Sequence, residues 1–239
     1  MLDQIKTDNV LFLDIETVPQ YSGYSEVPQE GQELWEKKSK SLRTETQTPE
    51  DVYSRAGIYC EFGKIICVSA GFMHYEDGQK KIRIKSVYGD DEKELLQGFI
   101  NILKVFGEKK EFCLCAHNGK EFDFPYLARR ILINGLSLPE VLDVSGKKPW
   151  EVKFIDTMEL WKFGDYKHYT SLELLAYIFG ISSPKDDIDG SMVDEVYYRN
   201  KDLPRIVKYC EKDVITTIQL LLKFKGESTV NENNIFIVG

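Results

Sequence analysis

Apolar residues along the chain fall into short runs that predict β-strands. A continuous apolar run indicates a strand buried on both faces, whereas alternating charged and apolar residues indicate a strand with one exposed face. The predicted strands cover residues 9–16, 64–74, 80–89, 112–118 and 151–157. Of these, 80–89 alternates, and the Asp-Gly pair before it predicts a hairpin turn at 76–79. The tail at 228–239 ends in a short apolar run that predicts one more edge strand.

Apolar residues at helical spacing predict five helices between and after these strands. They cover residues 90–107, 122–135, 171–179, 192–199 and 203–223. An acidic first turn and a final glycine bound the first of them, and Pro204 lies in the first turn of the last. Because a hairpin is followed by alternating strands and helices, the order predicts an α/β fold with a central mixed sheet flanked by helices.

Residues 20–57 do not follow this pattern. They are polar, contain Pro28 and Pro49, and include one helical patch at 31–40. We therefore predict a single domain over 1–239 with an insert at about 20–57. Inserts of this length are usually functional or partly mobile.

Composition limits the classes of function. The 239 residues are 42% hydrophobic, and the net charge is −8. An acidic chain is a poor generic nucleic-acid binder, but it is compatible with an enzyme that binds nucleic acid through metals and a local basic groove. Five cysteines without a C-x-x-C pair predict reduced thiols rather than disulfides or a zinc site. No apolar signal core and no membrane-length apolar run are present, so we expect a cytoplasmic protein with no membrane partner.

Carboxylates are placed at three of the predicted elements. Asp14 and Glu16 lie two residues apart in the first strand and project to the same side. Asp123 opens a helix after a buried strand, and Tyr209 and Asp213 share one face of the last helix. Each pattern alone also has a structural explanation. Asp14 and Glu16 would simply end a strand, Asp123 would cap a helix, and Tyr209 would hydrogen-bond Asp213. Four converging acids would repel one another unless cations lay between them, and Mg²⁺ or Mn²⁺ prefers such oxygen ligands. A pair of these ions is the arrangement that serves phosphodiester cleavage.

The motifs DIET, HNGKEFD and YCEKD follow one another in that order, at 14–17, 117–123 and 209–213. In this order they resemble the DEDD (DnaQ-like) superfamily of 3′–5′ exonucleases. The tyrosine in the third motif matches the tyrosine subclass, since the histidine subclass would have histidine where Lys208 stands. Over about 10–223, the chain most resembles stand-alone predicted exonucleases related to the exonuclease domain of family-B DNA polymerases.

This resemblance implies a ribonuclease H-like fold and hydrolysis of nucleotides from the 3′ end of a single strand. The four acids would bind two divalent ions, Mg²⁺ or Mn²⁺, and Tyr209 would orient the attacking water. The polymerase-like motifs favour DNA as the substrate. A 3′–5′ exoribonuclease of the same chemistry and a non-catalytic nucleic-acid-binding module are the alternatives. The motifs identify no protein partner.

Several residues near the motifs are candidates for substrate binding, each with a structural alternative. Thr17 would contact the terminal nucleotide or merely end its strand, and Asn118 would contact the sugar–phosphate backbone or organise a turn. Phe122 would stack on a base or join the core. Asp156 is expected to cap a short helix, and His117 to be a buried strand residue. The basic stretches 37–40 and 128–130 are phosphate contacts or solvated surface, and the insert is expected to line or cover the substrate groove.

Overall fold

Six strands form one mixed sheet in a computed structural model, which describes residues 2–108, 112–165, 169–182 and 188–238. The strands are β1 (Val10–Pro19), β2 (Gly63–Glu76), β3 (Gln79–Tyr88), β4 (Cys113–Ala116), β5 (Ile155–Asp156) and β6 (Ile235–Val238). Their spatial order is β5-β4-β1-β2-β3-β6. β1 is antiparallel to β2 and parallel to β4, so it occupies the centre of the sheet. The predicted α/β class with a central mixed sheet is confirmed, and the arrangement agrees with a ribonuclease H-like fold.

The helices flank this sheet. Within the described residues they are α1 (Gln29–Ser39), α2 (Glu92–Gly107), α3 (Asp123–Ile133), α4 (Thr157–Lys162), α5 (Leu172–Phe179), α6 (Val193–Tyr198) and α7 (Leu203–Phe224). The five predicted helices are confirmed with small shifts at their ends. α1 matches the helical patch in the predicted insert, and a 3-10 run at Glu50–Ile58 follows it.

One predicted strand is much shorter than expected, and the edge strand predicted in the tail is present. The predicted strand at 151–157 shrinks to the two residues of β5, because Pro149–Glu151 forms a 3-10 turn and Asp156 caps α4. The tail prediction is confirmed, since β6 pairs in parallel with β3 at the edge of the sheet.

Alternation along β1 divides the core into two layers. Leu11, Leu13 and Ile15 pack on the side that carries α2 and α3. Val10 and Phe12 pack on the other side, against α7. Each of these side chains is almost fully buried, and burial of one aliphatic or aromatic side chain contributes roughly 1.5–3 kcal/mol. The same alternation directs the next even-numbered residues of β1 towards α7.

A glycine in β2 permits the close approach of α7. A Cβ atom at Gly71 would lie 2.3 Å from Cδ1 of Ile84 and 3.0 Å from Cγ1 of Val214. The Ile84 side chain would have to change its rotamer, and the 3.0 Å distance to Val214 is tighter than an ordinary contact, so a larger residue would press on α7. Gly71 therefore helps to set the distance between the sheet and the helix that carries Tyr209 and Asp213.

The segment predicted as an insert has a small aromatic core of its own. Trp35 is fully buried among Val27, Val52 and Tyr53, and its indole N–H donates to the carbonyl oxygen of Pro49 at 2.9 Å. This packing explains why a polar stretch of sequence is ordered. Among the residues described, no helix has the length and apolarity needed to cross a membrane.

Candidate active site

Asp14 and Glu16 extend the α7-facing side of β1 into an open cavity of about 870 Å³. Asp14 is partly buried, and Glu16 is 7% exposed. The central position of β1, paired on both sides, gives both carboxylates a rigid support. Asp123, Tyr209 and Asp213 line the same cavity, so all five residues predicted to be catalytic lie around one space.

The last helix brings a cysteine as well as the predicted residues to this cluster. Cys210 is fully buried, and its thiol donates to the backbone carbonyl oxygen of Asp14 at 3.4 Å. One ligand atom each from Asp14, Glu16 and Cys210 lies within 4.8 Å of the other two. This contact fixes α7 against β1 next to the two carboxylates.

Asp123 reaches the cavity from the N-terminus of α3. It follows a tight turn in which Gly119 is required, since a Cβ atom there would lie 2.5 Å from the Cβ of Ala116. The Asp123 side chain is 3% exposed, and its Oδ1 atom is buried without a hydrogen-bond partner among the described residues. A buried carboxylate oxygen without a partner is costly and indicates a ligand that completes the site.

Burial and mutual repulsion raise the pKa values of these acids. Burial is the largest cause for Asp14 and Glu16, and the negative charges of neighbouring acids raise both pKa values further. Burial also raises the pKa of Asp123 to about 7, although backbone hydrogen bonds partly oppose it. The folded protein therefore holds several carboxylates in a place where their ionised forms are disfavoured. Such an arrangement is typical of a functional site rather than of a structural ion pair.

Tyr209 remains a phenol in this environment. Burial raises its pKa well above the usual range, and the charges of Asp213, Glu16 and Asp14 raise the pKa further. A side-chain hydrogen bond joins Tyr209 to Asp213, one turn along α7. A hydroxyl group with a raised pKa can donate a hydrogen bond and orient a neighbour, but it is a poor general base at neutral pH.

The donor set fits hard divalent cations. The four carboxylates offer oxygen ligands, and one buried oxygen of Asp123 lacks a partner. Among the described residues that line the cavity, there is no lysine or arginine to neutralise these charges. Bound cations would neutralise the carboxylates and would contact the buried oxygen of Asp123.

Asp156 holds the turn that precedes Asp123. Its Oδ1 atom accepts from the backbone N–H groups of Asn118 and Met158, at 3.0 and 2.9 Å, and from that of Glu159 at 3.2 Å. Its Oδ2 atom accepts from the N–H of Lys120 at 3.0 Å. The expected helix cap is thus confirmed, and the same carboxylate also fixes the loop between β4 and α3.

We expect Asp156→Ala to destabilise the protein by about 1–3 kcal/mol, because several buried N–H groups would lose their acceptor. The turn that positions Asp123 would be held less firmly, so kcat on an oligonucleotide should fall together with the free energy of unfolding. Asp156→Asn is the matched control, since an amide oxygen at the Oδ1 position keeps three of the four bonds. Urea unfolding of both variants tests this expectation. Equal losses of stability in Asp156→Ala and Asp156→Asn would contradict it.

The predicted substrate-binding residues have different surroundings. Asn118 and Phe122 line the cavity, and Asn118 adopts the left-handed conformation (φ 63°) that asparagine tolerates. Thr17 does not line the cavity. Strand alternation turns its side chain away from Asp14 and Glu16, and its hydroxyl group hydrogen-bonds the Tyr126 side chain instead.

Two further expectations need correction. No residue of 20–57 lines the cavity, so the expectation that this segment lines the groove is not confirmed, while the expectation that it covers the groove stays a prediction. Arg130, in the basic stretch 128–130, is 4% exposed and paired with the buried Glu92, so it is not available to phosphates. Its partner lies far away in the sequence, which is why the stretch resembles solvated surface.

Sequence reasoning missed several residues of the lining, Tyr169 among them, and gave little role to His117 and Cys210. Tyr169 and His117 line the cavity, and Cys210 contacts Asp14. The signal for Cys210 was available, because it lies on α7 between Tyr209 and Asp213. Tyr169 precedes α5 in a segment without periodicity, so no pattern indicated it.

Comparisons with known proteins agree with this geometry. Residues 58–234 match the family model described as a predicted 3′–5′ exonuclease related to the exonuclease domain of PolB. The chain is 29% identical over 167 residues to a DNA polymerase of Pyrococcus glycovorans, an alignment that covers 62% of this chain and 21% of the polymerase. It is 28% identical over 182 residues to DNA polymerase 1 of Pyrococcus abyssi, which covers 69% of this chain and 23% of that protein.

A DNA polymerase of Thermococcus sp. (strain GE8) is 27% identical over 216 residues, 83% of this chain and 12% of the polymerase. The chain thus spans less than a quarter of the length of each of these relatives. The family match alone covers well over half of the chain, and its range includes Asp123, Tyr209 and Asp213. This chain therefore belongs to the family of predicted 3′–5′ exonucleases related to the exonuclease domain of PolB.

Proposed function

We propose that this protein is a metal-dependent 3′–5′ exonuclease of the tyrosine subclass that acts on single-stranded DNA in the cytoplasm, and that residues 1–239 form one exonuclease domain. The observation that carries the proposal is the meeting of Asp14, Glu16, Asp123 and Asp213 around one cavity, with Tyr209 beside them. Family membership supports the reaction class. The DNA polymerases among its relatives favour DNA as the polymer.

The four carboxylates would hold two divalent ions, Mg²⁺ or Mn²⁺. When bound, such ions acidify water and stabilise charge on the entering and leaving oxygens of a phosphodiester. The carboxylates themselves bind and orient, and their raised pKa values reflect the repulsion that cations would relieve. Tyr209 keeps its proton and donates a hydrogen bond to Asp213, and its oxygen can accept from the attacking water, so its role is to orient that water.

Substrate contacts follow from the remaining lining. Asn118 presents an amide oxygen that is buried without a partner, and this atom can accept from a donor on the terminal nucleotide. Phe122 lines the cavity, and its ring centroid lies 5.4 Å from that of Tyr126. Thr17 would act through its backbone or through Tyr126, because its side chain points away from the acids. None of the five cysteines, all of which lie in the described part of the chain, forms a disulfide, which suits a reducing compartment.

Turnover of labelled single-stranded DNA and RNA of the same sequence, with Mg²⁺ or Mn²⁺, tests the proposal. We expect wild-type protein to release mononucleotides, and DNA to be hydrolysed faster than RNA. Faster hydrolysis of RNA would identify an exoribonuclease with the same site. Equal activity of wild-type protein and Asp213→Ala would contradict the catalytic role of the acids and favour a non-catalytic binding module.

A further inference from the structure

The cavity has an aromatic part that the exonuclease motifs do not account for. Tyr169, Leu172 and Tyr177 line it together with Met192. Tyr169 is 65% exposed and Tyr177 is 83% exposed, so neither ring is a core residue. Two tyrosine rings that face solvent at the mouth of a catalytic cavity have faces available for stacking.

The segment that carries these rings is fixed to the catalytic region by His117. The Nε2 atom of His117 lies 2.9 Å from the carbonyl oxygen of Thr170, and Nδ1 lies 2.9 Å from the Thr157 hydroxyl oxygen. Because a carbonyl oxygen can only accept, Nε2 carries a proton and donates it to this bond. His117 follows β4 directly, so this bond ties the residue next to Tyr169 to the end of the strand that leads to Asp123.

The helix that carries Tyr177 is equally well supported. The Ser171 hydroxyl accepts from the N–H of Leu174 at 3.2 Å and caps α5. Leu175 and Ala176 are buried against Leu220 of α7, the helix that carries Tyr209 and Asp213. α5 therefore buries one side against the catalytic helix and leaves Tyr177 on its outer side. An outward-facing tyrosine ring on a fixed helix has only two side-chain torsions to restrict when a planar group binds to it, so it loses little conformational entropy.

The described part of the lining offers no cationic side chain that would bind the phosphates of a nucleic acid. The described residues of the lining include Glu173 and Asp189 in addition to the four acids, and no lysine or arginine. Counterion release favours nucleic-acid binding when Lys or Arg side chains neutralise phosphates, and the described lining provides neither. Bases, by contrast, are uncharged and stack on aromatic side chains whatever their sequence.

We propose that Tyr169 and Tyr177 form the base-stacking surface that holds the single strand in the cavity. This proposal rests on the proposed exonuclease function and names how its substrate is bound. Tyr169 lines the same cavity as Asp14, Asp123 and Asp213, so it stacks on the terminal nucleotides. Tyr177 stacks on bases further from the cleaved bond. Paired bases have no free face, so this mode selects unpaired 3′ ends. Stacking on bases does not distinguish the two sugars, so the preference for DNA comes from other contacts of the site.

Steady-state kinetics of Tyr177→Ala, Tyr177→Phe and Tyr75→Ala test the proposal. Tyr75 is 58% exposed on β2 and lies outside the cavity lining, which makes it a matched control. The substrates are a ten-nucleotide oligothymidylate and the p-nitrophenyl ester of thymidine 5′-phosphate, which has no second base. We expect Tyr177→Ala to raise KM for the oligonucleotide about 5- to 100-fold and to change hydrolysis of the ester less than about twofold. Tyr177→Phe and Tyr75→Ala should behave as wild type.

The outcomes separate this proposal from the function on which it rests. An unchanged KM of Tyr177→Ala for the oligonucleotide, or an equal loss with both substrates, would overturn the stacking role. A wild-type protein that hydrolyses neither substrate would instead overturn the exonuclease function. Salt gives a second readout, because KM for the oligonucleotide should change less than about threefold between 50 and 200 mM KCl. A rise of about 10³-fold would show that phosphate contacts dominate binding.

Discussion

Asp14→Asn is expected to abolish hydrolysis and, in the absence of divalent ions, to raise the melting temperature of the protein. Asparagine has the size of aspartate without its charge, so it removes repulsion with Glu16 while keeping the packing of β1. Burial and the nearby charges raise the pKa of Asp14, which means that the folded protein holds this carboxylate at a cost in stability. Loss of a ligand should lower kcat on the order of 10³-fold.

Differential scanning calorimetry with and without Mn²⁺ measures the stability part of this prediction. About 1 kcal/mol of relieved repulsion raises Tm by roughly 2–4 °C in a chain of this size. Added Mn²⁺ should stabilise wild-type protein more than Asp14→Asn, because binding to the folded state alone stabilises it. Asp77→Asn, at an exposed hairpin turn, is the matched control and should change neither Tm nor kcat. A lower Tm for Asp14→Asn would mean that this carboxylate is a structural cap.

The largest loss of stability is expected from Glu92→Ala, far from the cavity. The Glu92 carboxylate is 8% exposed and accepts from Arg130 in a two-pronged pair, with Nε at 2.9 Å from Oε1. It also accepts from the backbone N–H of Ile65 at 2.7 Å and from the Asn134 side chain at 2.9 Å. Alanine would leave the buried guanidinium of Arg130 without its partner. Breaking a buried pair in this way costs about 3–5 kcal/mol.

Urea unfolding measures this effect. Glu94→Ala, an exposed glutamate two residues further along α2, is the control and should change stability by less than about 0.5 kcal/mol. The pair joins α2 to α3, which begins at Asp123, but neither residue lines the cavity. Activity per folded molecule should therefore remain close to wild type well below Tm. A loss of less than about 1 kcal/mol for Glu92→Ala would contradict the assignment of a buried pair.

The parts of the fold that could be predicted from sequence are those with strong local periodicity. Two-residue alternation in β1 assigns Asp14 and Glu16 to one face, and helical spacing in α7 assigns Tyr209 and Asp213 to one side. Both assignments depend on a single element, which is why they agree with the structure. Alternation also places Thr17 on the opposite face of β1, so its position away from the cavity was readable from the same rule.

Features that join distant elements could not be predicted from these patterns. Arg130 and Glu92 are 38 residues apart, and the buried pair exists because α2 and α3 pack on the same face of the sheet. Tyr169 reaches the cavity because His117 holds the neighbouring carbonyl group, a contact that spans 53 residues. Trp35 is buried by residues of its own segment, but the intervening polar residues hide that core from a periodicity analysis.

Degradation of a single-stranded DNA labelled at its 5′ end tests the central claim most directly. With Mg²⁺ or Mn²⁺, the account predicts a ladder of labelled products that shorten by one nucleotide at a time, as the four acids and Tyr209 act on the 3′ end. Asp14→Asn should leave the strand intact. Immediate release of a labelled mononucleotide, cleavage at internal positions, or an identical ladder from Asp14→Asn would contradict the account.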